Sequence, residues 1–451
     1  MNRFKKWGIA SAVPLLVGAL LSACGSSGGS GAQSSPGSAG ESVSGGAAGG
    51  ESKPYELRVA TWQTEETNTA ILNEAKKKFE AEHPGATVKI EASPYENYMT
   101  KLQTELGAGD PPDLIQVGEQ NFSRYVKKNI VVDLTPFAEG KYDLNDITPN
   151  VKKLMLVDGK LPVMSVGGAT IGVYYNKKLF DAAGIPYPQD GWTWEQFRDI
   201  AKKLTIRQGG KIKQYGANLN LGKDWVEPFV VSNGGSYLSP DGSTAVGYLN
   251  ADATVDAFKK IYDLYNVDNV APNPAELIAL KGIDLFATGQ VAMNVNGSWA
   301  QSDLRNNPDI EFGVVSLPTM STGKQTSLLY TSGFGIAQQS KHQQEAFDFL
   351  MELTSPDSEI GPGWAKSNLA VSQKLAASSK QNEDPYLGEF VKQLDNAIVS
   401  GYFANSAWGS VGDKLLAPAI QDILLQKNVD IKAKLTDLAG QIDTELKRAA
   451  E

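Results

Sequence analysis

Two short stretches place hydrogen-bonding side chains directly behind apolar runs: Trp62-Gln63-Thr64-Glu65 and Gly118-Glu119-Gln120-Asn121. Between them they offer carboxylates, amides and one exposed aromatic, the groups with which a cleft holds a polar ligand. Nucleophilic and metal chemistry find little support. The two histidines, His83 and His342, both sit in helix-boundary contexts, and the chain has no CxxC or HExxH spacing and no Gly-rich phosphate loop with its lysine. Gly25-Ser26-Ser27-Gly28-Gly29 spells a nucleophile elbow, but no strand precedes it and no helix follows. The single cysteine, Cys24, cannot form an intrachain disulfide, and its Gly/Ser flank supplies no base to activate it. Glycoside hydrolysis needs only two carboxylates at a set separation, and 51 acidic residues leave that option open.

The elements that must position these residues can be read from periodicity. A strand is predicted near Glu56 to Thr61, then a helix from about Thr67 to Glu82 with Ile71, Leu72, Ala75 and Phe79 on one face, then a strand from Thr87 to Ala92. His83-Pro84-Gly85 stops that helix, which makes His83 a capping residue. A further helix spans roughly Tyr95 to Leu106, and after Pro111-Pro112 the run Leu114-Ile115-Gln116-Val117 reads as a buried strand. Strand, helix, strand, helix, strand is the pattern of a parallel α/β sheet, in which ligands lie beyond the carboxyl ends of the strands. Thr193-Trp194-Glu195-Gln196 fits a capping box, so Trp192 and Trp194 are expected to staple a helix entry and not to contact a ligand.

At the amino terminus Arg3, Lys5 and Lys6 precede an apolar run from Trp7 to Leu21, too short to cross a bilayer, and then Leu21-Ser22-Ala23-Cys24-Gly25. The tetrad resembles the bacterial lipobox. That resemblance implies a signal peptide over 1–23 and a diacylglycerol thioether on Cys24, whose two acyl chains would anchor the protein stably on the outer face of the cell membrane. Residues 25–50 contain 22 Gly, Ser or Ala out of 26, so 24–52 reads as a flexible tether with an end-to-end distance of roughly 30 Å. The remaining chain, from 53 to 451, exceeds what one core usually supports and argues for two lobes. Removing residues 1–23 takes away three positive charges and no acids, leaving 39 Lys and Arg against 51 Asp and Glu, a net charge of −12. That balance is wrong for a nucleic-acid binder.

The body resembles the extracellular solute-binding proteins of ABC importers, the family 1 or maltodextrin-binding type. The segments that carry the resemblance are Phe79-Glu80-Ala81-Glu82-His83-Pro84-Gly85, Asp110-Pro111-Pro112-Asp113-Leu114-Ile115, Tyr174-Tyr175-Asn176-Lys177-Lys178-Leu179-Phe180 with Ala183-Gly184-Ile185, and Phe286-Ala287-Thr288-Gly289-Gln290-Val291-Ala292-Met293 running to Gly297-Ser298-Trp299. Ser340-Lys341 with the helix ending Phe349-Leu350, and Ile420 to Leu446, look like the later helices. The resemblance implies an α/β, two-lobed periplasmic-binding-protein-like fold, each lobe a mostly parallel sheet flanked by helices. Several hinge crossovers would join the lobes, which close over the solute. It further implies a first lobe of 53–166 and 336–378 and a second of 167–335 and 379–451, and a monomer is expected.

In such a family the solute is a sugar, whose apolar ring faces lie on aromatic side chains and whose hydroxyls need donors and acceptors. The tryptophan of the Gly297-Ser298-Trp299 motif carries over as a stacking residue, and Trp408 in Asn405-Ser406-Ala407-Trp408-Gly409 resembles the late stacking position. Trp62, Asp224 and Trp225 fall where the family has further contacts, although the sequence around Trp225 departs from the maltodextrin type. Glu119, Gln120 and Asn121 match the segment after the third strand, where Asn121 replaces the usual base; Glu65 and Gly167-Gly168 complete the first-lobe candidates. Trp364 has no motif behind it. For each carboxylate the alternative is a solvated surface group. The implied partners are a carbohydrate, expected to be an oligosaccharide, and the permease subunits with their cytosolic ATPase, with no cofactor and no nucleic acid. A glycan-binding sensor module and a surface glycoside-active enzyme are the competing readings.

Overall fold

The structure is a computed structural model that describes residues 54–280, 283–394, 397–399 and 405–450. The expected signal peptide, the tether and Cys24 lie outside the described residues. Residues 51–451 form a compact unit. In chain order its strands are β1 (Tyr55–Thr61), β2 (Ala86–Ala92), β3 (Leu114–Gly118), β4 (Met164–Ala169), β5 (Ile171–Asn176) and β6 (Ile206–Gln208). There follow β7 (Lys211–Asn218), β8 (Val291–Gly297), β9 (Phe312–Val315), β10 (Ser327–Leu328), β11 (Tyr330–Ile336) and β12 (Ala397–Ile398).

The opening elements form for local reasons. Leu57 and Val59 alternate into the core from β1, and the helix Glu66–Glu82 buries Ile71, Leu72, Ala75 and Phe79 as one stripe. The His83 N–H closes on the Phe79 carbonyl, Pro84 prevents a further turn, and the imidazole stacks on Phe79 with centroids 4.0 Å apart. The next helix, Tyr95–Ala108, ends at Gly109, whose φ of 75° suits a left-handed cap. β1 runs parallel to β2 and to β3.

Two five-stranded sheets result, in the orders β2-β1-β3-β11-β4 and β6-β7-β8-β5-β9. In the first sheet β1, β2, β3 and β4 share one direction and β11 runs against them, and the second sheet is mixed. β11 is antiparallel to β3 and β4, β5 is antiparallel to β8 and β9, and in the second sheet only β7 and β8 run parallel. The cause is the crossovers. Thr170 alone separates β4 from β5, and Leu329 alone separates β10 from β11. A strand that enters its sheet through a crossing starts at the cleft and must run against the strands that end there. β11 therefore belongs to the first sheet from Tyr330 onward, earlier than the boundary expected at 335/336. At the crossings the Ser327 hydroxyl bonds both the Ile171 N–H (2.9 Å) and its carbonyl (3.0 Å), and β10 pairs with β12.

The cores follow the sheets. Ala346, Phe347, Phe349, Leu350 and Trp364 pack with β1, β3 and β11, whereas Leu416, Ile420, Leu435 and Ile442 pack with β5, β7 and β8. Thr193 and Gln196 form the expected capping box, and Trp192 and Trp194 are buried behind it.

Candidate functional site

The carboxyl ends of β1 and β3 are clipped together by one amide. Gln116 accepts from the Thr61 hydroxyl (2.5 Å) and the Trp62 N–H (3.3 Å), and donates to Ser332 Oγ on β11 (3.2 Å). This fixes Trp62, whose half-buried indole meets Tyr95 and Tyr98 edge-on at 5.4 and 5.3 Å. Just beyond β3, a single 3-10 turn spans Glu119–Asn121. Gln120 donates to the Tyr95 hydroxyl (2.8 Å), and Asn121 leads into the helix Phe122–Lys127. Glu119 is 7% exposed and accepts the Thr331 N–H at 3.1 Å. Burial pushes its carboxyl up from 4.5 to about 8, with the Asp224 charge adding to the effect and two backbone N–H groups and Lys223 opposing it.

From the second sheet, the helix Lys223–Ser232 after β7 presents Lys223, Asp224 and Trp225. The Lys223 ammonium, 4% exposed, lies 3.1 Å from Asp224 and 2.7 Å from Asp413. Its stem passes directly over Gly412, where a Cβ would come within 2.7 Å of it. The Asp224 carboxyl is raised by burial and drawn back by Lys223.

Three rings complete the arrangement. Trp299 follows β8 and folds back over Gly297, where a Cβ would lie 2.3 Å from the indole. Its centroid is 5.8 Å from Trp225 and 5.7 Å from Tyr330, at interplanar angles of 74° and 83°. The Tyr330 hydroxyl is buried and has no hydrogen-bond partner among the described residues. Burial raises this phenol first, and the carboxylates of Asp224, Glu119 and Glu227 raise it further. Between the two sheets Ser302 Oγ reaches Thr67 Oγ1 (3.3 Å) and Lys127 Nζ reaches Ser406 Oγ (3.2 Å), so the cleft is shut.

Glu119, Asp224, Trp225 and Trp299 thus come together, Trp62 and Gln120 meet Tyr95 on the first-sheet side, and Asn121 ends the turn that carries Glu119. Glu65 instead holds its own turn, accepting from the Thr64 N–H and from Asn68 Nδ2. Gly167, at φ 149°, lies against Asn368, and Gly168 bridges to Leu369. Trp408 is a correction. At 1% exposure, packed beside Tyr237 with centroids 6.0 Å apart, it is part of the second sheet's core and presents no ring face to a solute. Trp364 is likewise a core residue, its indole N–H bonded to the Leu353 carbonyl.

Sequence reasoning missed Tyr95, Lys223, Asp413 and Tyr330. Lys223 had a visible signal, a cation next to Asp224 at the start of a helix. Tyr330 had none under a search of strand ends, because it stands at the beginning of a strand that leaves the cleft. The assembled groups are ring faces, acceptors and one ammonium donor, suited to holding a polar, partly apolar solute. No cluster of His, Cys, Asp and Glu able to hold a metal occurs among the described residues.

Residues 62–360 match the bacterial extracellular solute-binding protein family. A putative binding protein of Brucella abortus is 25% identical over 405 residues, 87% of this chain and 94% of the relative. The diacetylchitobiose binding protein DasA of Streptomyces coelicolor is 28% identical over 310 residues, 67% and 70% of the two chains. Among solved structures, an ABC substrate-binding protein of Listeria monocytogenes in complex with cycloalternan superposes with a TM-score of 0.77 at 22% identity, covering 88% of this chain and 99% of that one. The matched segment takes in the second sheet, the first sheet apart from β1, and most of the cleft residues, and on that basis the chain belongs to the bacterial extracellular solute-binding protein family.

Proposed function

We propose that this protein captures a carbohydrate between its two sheets and presents it to an ABC permease driven by a cytosolic ATPase. The observation that carries the reading is the meeting of Trp225, Trp299 and Tyr330 with Glu119 and Asp224 where the chain crosses between sheets. Ring faces match the C–H faces of a pyranose, and carboxyl, amide and ammonium groups match its hydroxyls. A Streptomyces relative named for binding diacetylchitobiose and a Listeria structure in complex with cycloalternan support the same class of solute. Lipidation at Cys24, with the Gly/Ser tether behind it, would keep the receptor at the outer membrane face within reach of its permease.

The test is a thermal-shift screen of residues 51–451 against mono- and oligosaccharides. A ligand at a hundred times its dissociation constant stabilises by about 2.7 kcal/mol, a shift of a few degrees. A saccharide that shifts the melting temperature and is recovered unchanged is the expected result. A saccharide consumed over time would make the protein an enzyme, and silence across the panel would overturn the carbohydrate reading.

A further inference from the structure

Lys223 and Asp224 are neighbours in sequence but differ in what can reach them. The Lys223 side chain is 5% exposed and that of Asp224 28%, so the ammonium is covered while its carboxylate partner stays open. Nζ lies 3.2 and 3.1 Å from the two Asp224 oxygens, which fixes that carboxylate at both atoms. Asp413 holds the same ammonium at 2.7 Å. From the first-sheet side Tyr95 and Glu119 both feel Asp224, and Tyr95 feels Asp413 as well. The open carboxylate therefore faces the space between the sheets.

Two local features allow this arrangement. Gly412–Leu416 winds as one π turn between the helical segments Trp408–Val411 and Ala417–Leu425, and Asp413 is the second residue of that turn. Such turns are rare and frequent at functional sites. Gly412 leaves room for the lysine stem, since a Cβ there would lie 2.7 and 2.8 Å from Cδ and Cε of Lys223. Tyr237 donates its hydroxyl to the Lys223 carbonyl at 2.8 Å, which pins the backbone from which the stem departs.

The charges agree with the geometry. Burial acts to lower the Lys223 ammonium, but Asp224 and Asp413 outweigh it and its pKa is raised, so the lysine stays charged. Burial raises the Asp224 carboxyl, Lys223 draws it back and Asp413 pushes it up. The other ionisable groups around Asp224 among the described residues are Glu119 and the phenols of Tyr95, Tyr237 and Tyr330, with Glu227 felt by the last two. All of these are acids, and the cation that acts on Asp224 is Lys223.

We propose that Lys223 is a positioning residue for solute capture: clamped by Asp413, its ammonium keeps the Asp224 carboxylate charged and aimed into the cleft as the acceptor of a solute hydroxyl. This rests on the carbohydrate reading above and names the group that sets one of its acceptors. Lys223 itself touches no solute.

The test titrates maltose, maltotriose, lactose, cellobiose and diacetylchitobiose calorimetrically into residues 51–451 from pH 6 to pH 9, reading variant affinity against unaltered affinity at each pH. Without the ammonium the Asp224 carboxyl holds its proton to higher pH and loses its value as an acceptor. For a saccharide that binds, Lys223→Met is expected to weaken binding about ten-fold or more at pH 6, with the loss shrinking as pH rises. Gly412→Ala keeps a good helix former in the turn and displaces the lysine stem, so it should give a smaller loss with the same pH trend, and it serves if Lys223→Met folds poorly. A loss equal at every pH would make Lys223 a scaffold residue, and unchanged affinity would show that Asp224 needs no cation; either overturns this proposal and leaves carbohydrate capture standing. The solute-free proteins give a second readout. Folded Asp224 holds its proton above the ordinary 3.8, and by a wider margin once Lys223 is gone, so stability falls as pH rises through that window. The melting temperature of Lys223→Met relative to the double variant with Asp224→Asn should then fall more steeply from pH 4 to pH 8 than that of the unaltered protein relative to Asp224→Asn; equal slopes would overturn the proposal. Binding by no saccharide here or in the wider thermal screen would overturn the carbohydrate reading, and the role toward solute with it, whatever the slopes.

Discussion

Trp299→Ala and Trp408→Ala should fail in opposite ways, although the two tryptophans look alike in sequence. Trp299 is half-buried, lies over Gly297 and touches Trp225 and Tyr330 by edge contacts. Its loss removes two aromatic pairs worth about 1–2 kcal/mol together. Unfolding a body of this size carries an entropy of about 0.8 kcal/mol per kelvin, from ~2.1 cal/mol/K for each of ~400 residues, so the melting temperature should fall by about 1–2 °C. Solute affinity should fall much further, since truncating a central aromatic anchor costs about 2 kcal/mol or more, roughly 30-fold. Trp408, 1% exposed, is a core residue whose truncation costs about 3–5 kcal/mol, or about 4–6 °C, with affinity nearly unchanged. Differential scanning calorimetry and isothermal titration with a saccharide identified in the thermal screen give both quantities for each variant. If Trp299→Ala leaves affinity intact while lowering the melting temperature by several degrees, or Trp408→Ala loses affinity at constant stability, the assignment of the two indoles is refuted.

Three further outcomes follow from the same site. Folded Glu119 holds its proton up to about pH 8 whereas the unfolded chain releases it near 4.5, so between these values the native state binds more protons and stability falls as pH rises. Glu119→Gln has no proton to lose; its melting temperature relative to the unaltered protein should climb by several degrees from pH 5 to pH 8, and a pH-independent difference would show the carboxyl to be ordinary. Tyr330→Phe removes a hydroxyl without a partner among the described residues, so it should leave the unliganded melting temperature equal or about 1 °C higher while weakening solute binding about five- to ten-fold. A loss of stability with unchanged affinity would place that hydroxyl in the scaffold. Gly297→Ala would put a methyl 2.3 Å from the Trp299 ring and push the indole from its seat, so calorimetric titration should show most of the affinity loss of Trp299→Ala; wild-type affinity would mean the ring position is immaterial.

The first sheet was legible because its signals are local. Leu57 and Val59 alternate, Ile71, Leu72, Ala75 and Phe79 recur at helical spacing, and Pro84 and Gly109 end the two helices. The parallel run of β1, β2 and β3 was legible too, but the direction of β5 and β11 was not, because it depends on which end of a sheet the chain enters, and that is decided by the crossings Ala169 to Ile171 and Leu328 to Tyr330. The same limit governed the site. Glu119 directly follows a strand and was singled out by position, whereas Asp224, Trp225 and Trp299 were singled out by the family resemblance. Tyr330 opens a strand that runs the other way. Trp408 sits among small and polar neighbours that suggest exposure, yet its burial is set by Tyr237 and by the helices that close over it, far away in the chain.

Why the cleft should respond to a solute follows from what its shut form leaves unpaid. In the shut form Glu119 is buried deeply enough to keep its proton to about pH 8, Lys223 lies between acids at 4% exposure, and the Tyr330 hydroxyl has no partner among the described residues. Each of these opposes closure. Direct bonds across the sheets include Ser302 to Thr67, Gln301 to the Lys366 carbonyl and Lys127 to Ser406, at 3.2 to 3.3 Å, and such bonds contribute about 1 kcal/mol each. A solute that donates to Tyr330 or Glu119 and covers Trp225 and Trp299 gains these contacts only when the sheets meet. Its affinity for the shut form therefore exceeds that for the open one, which is the condition for a ligand to drive a conformational equilibrium.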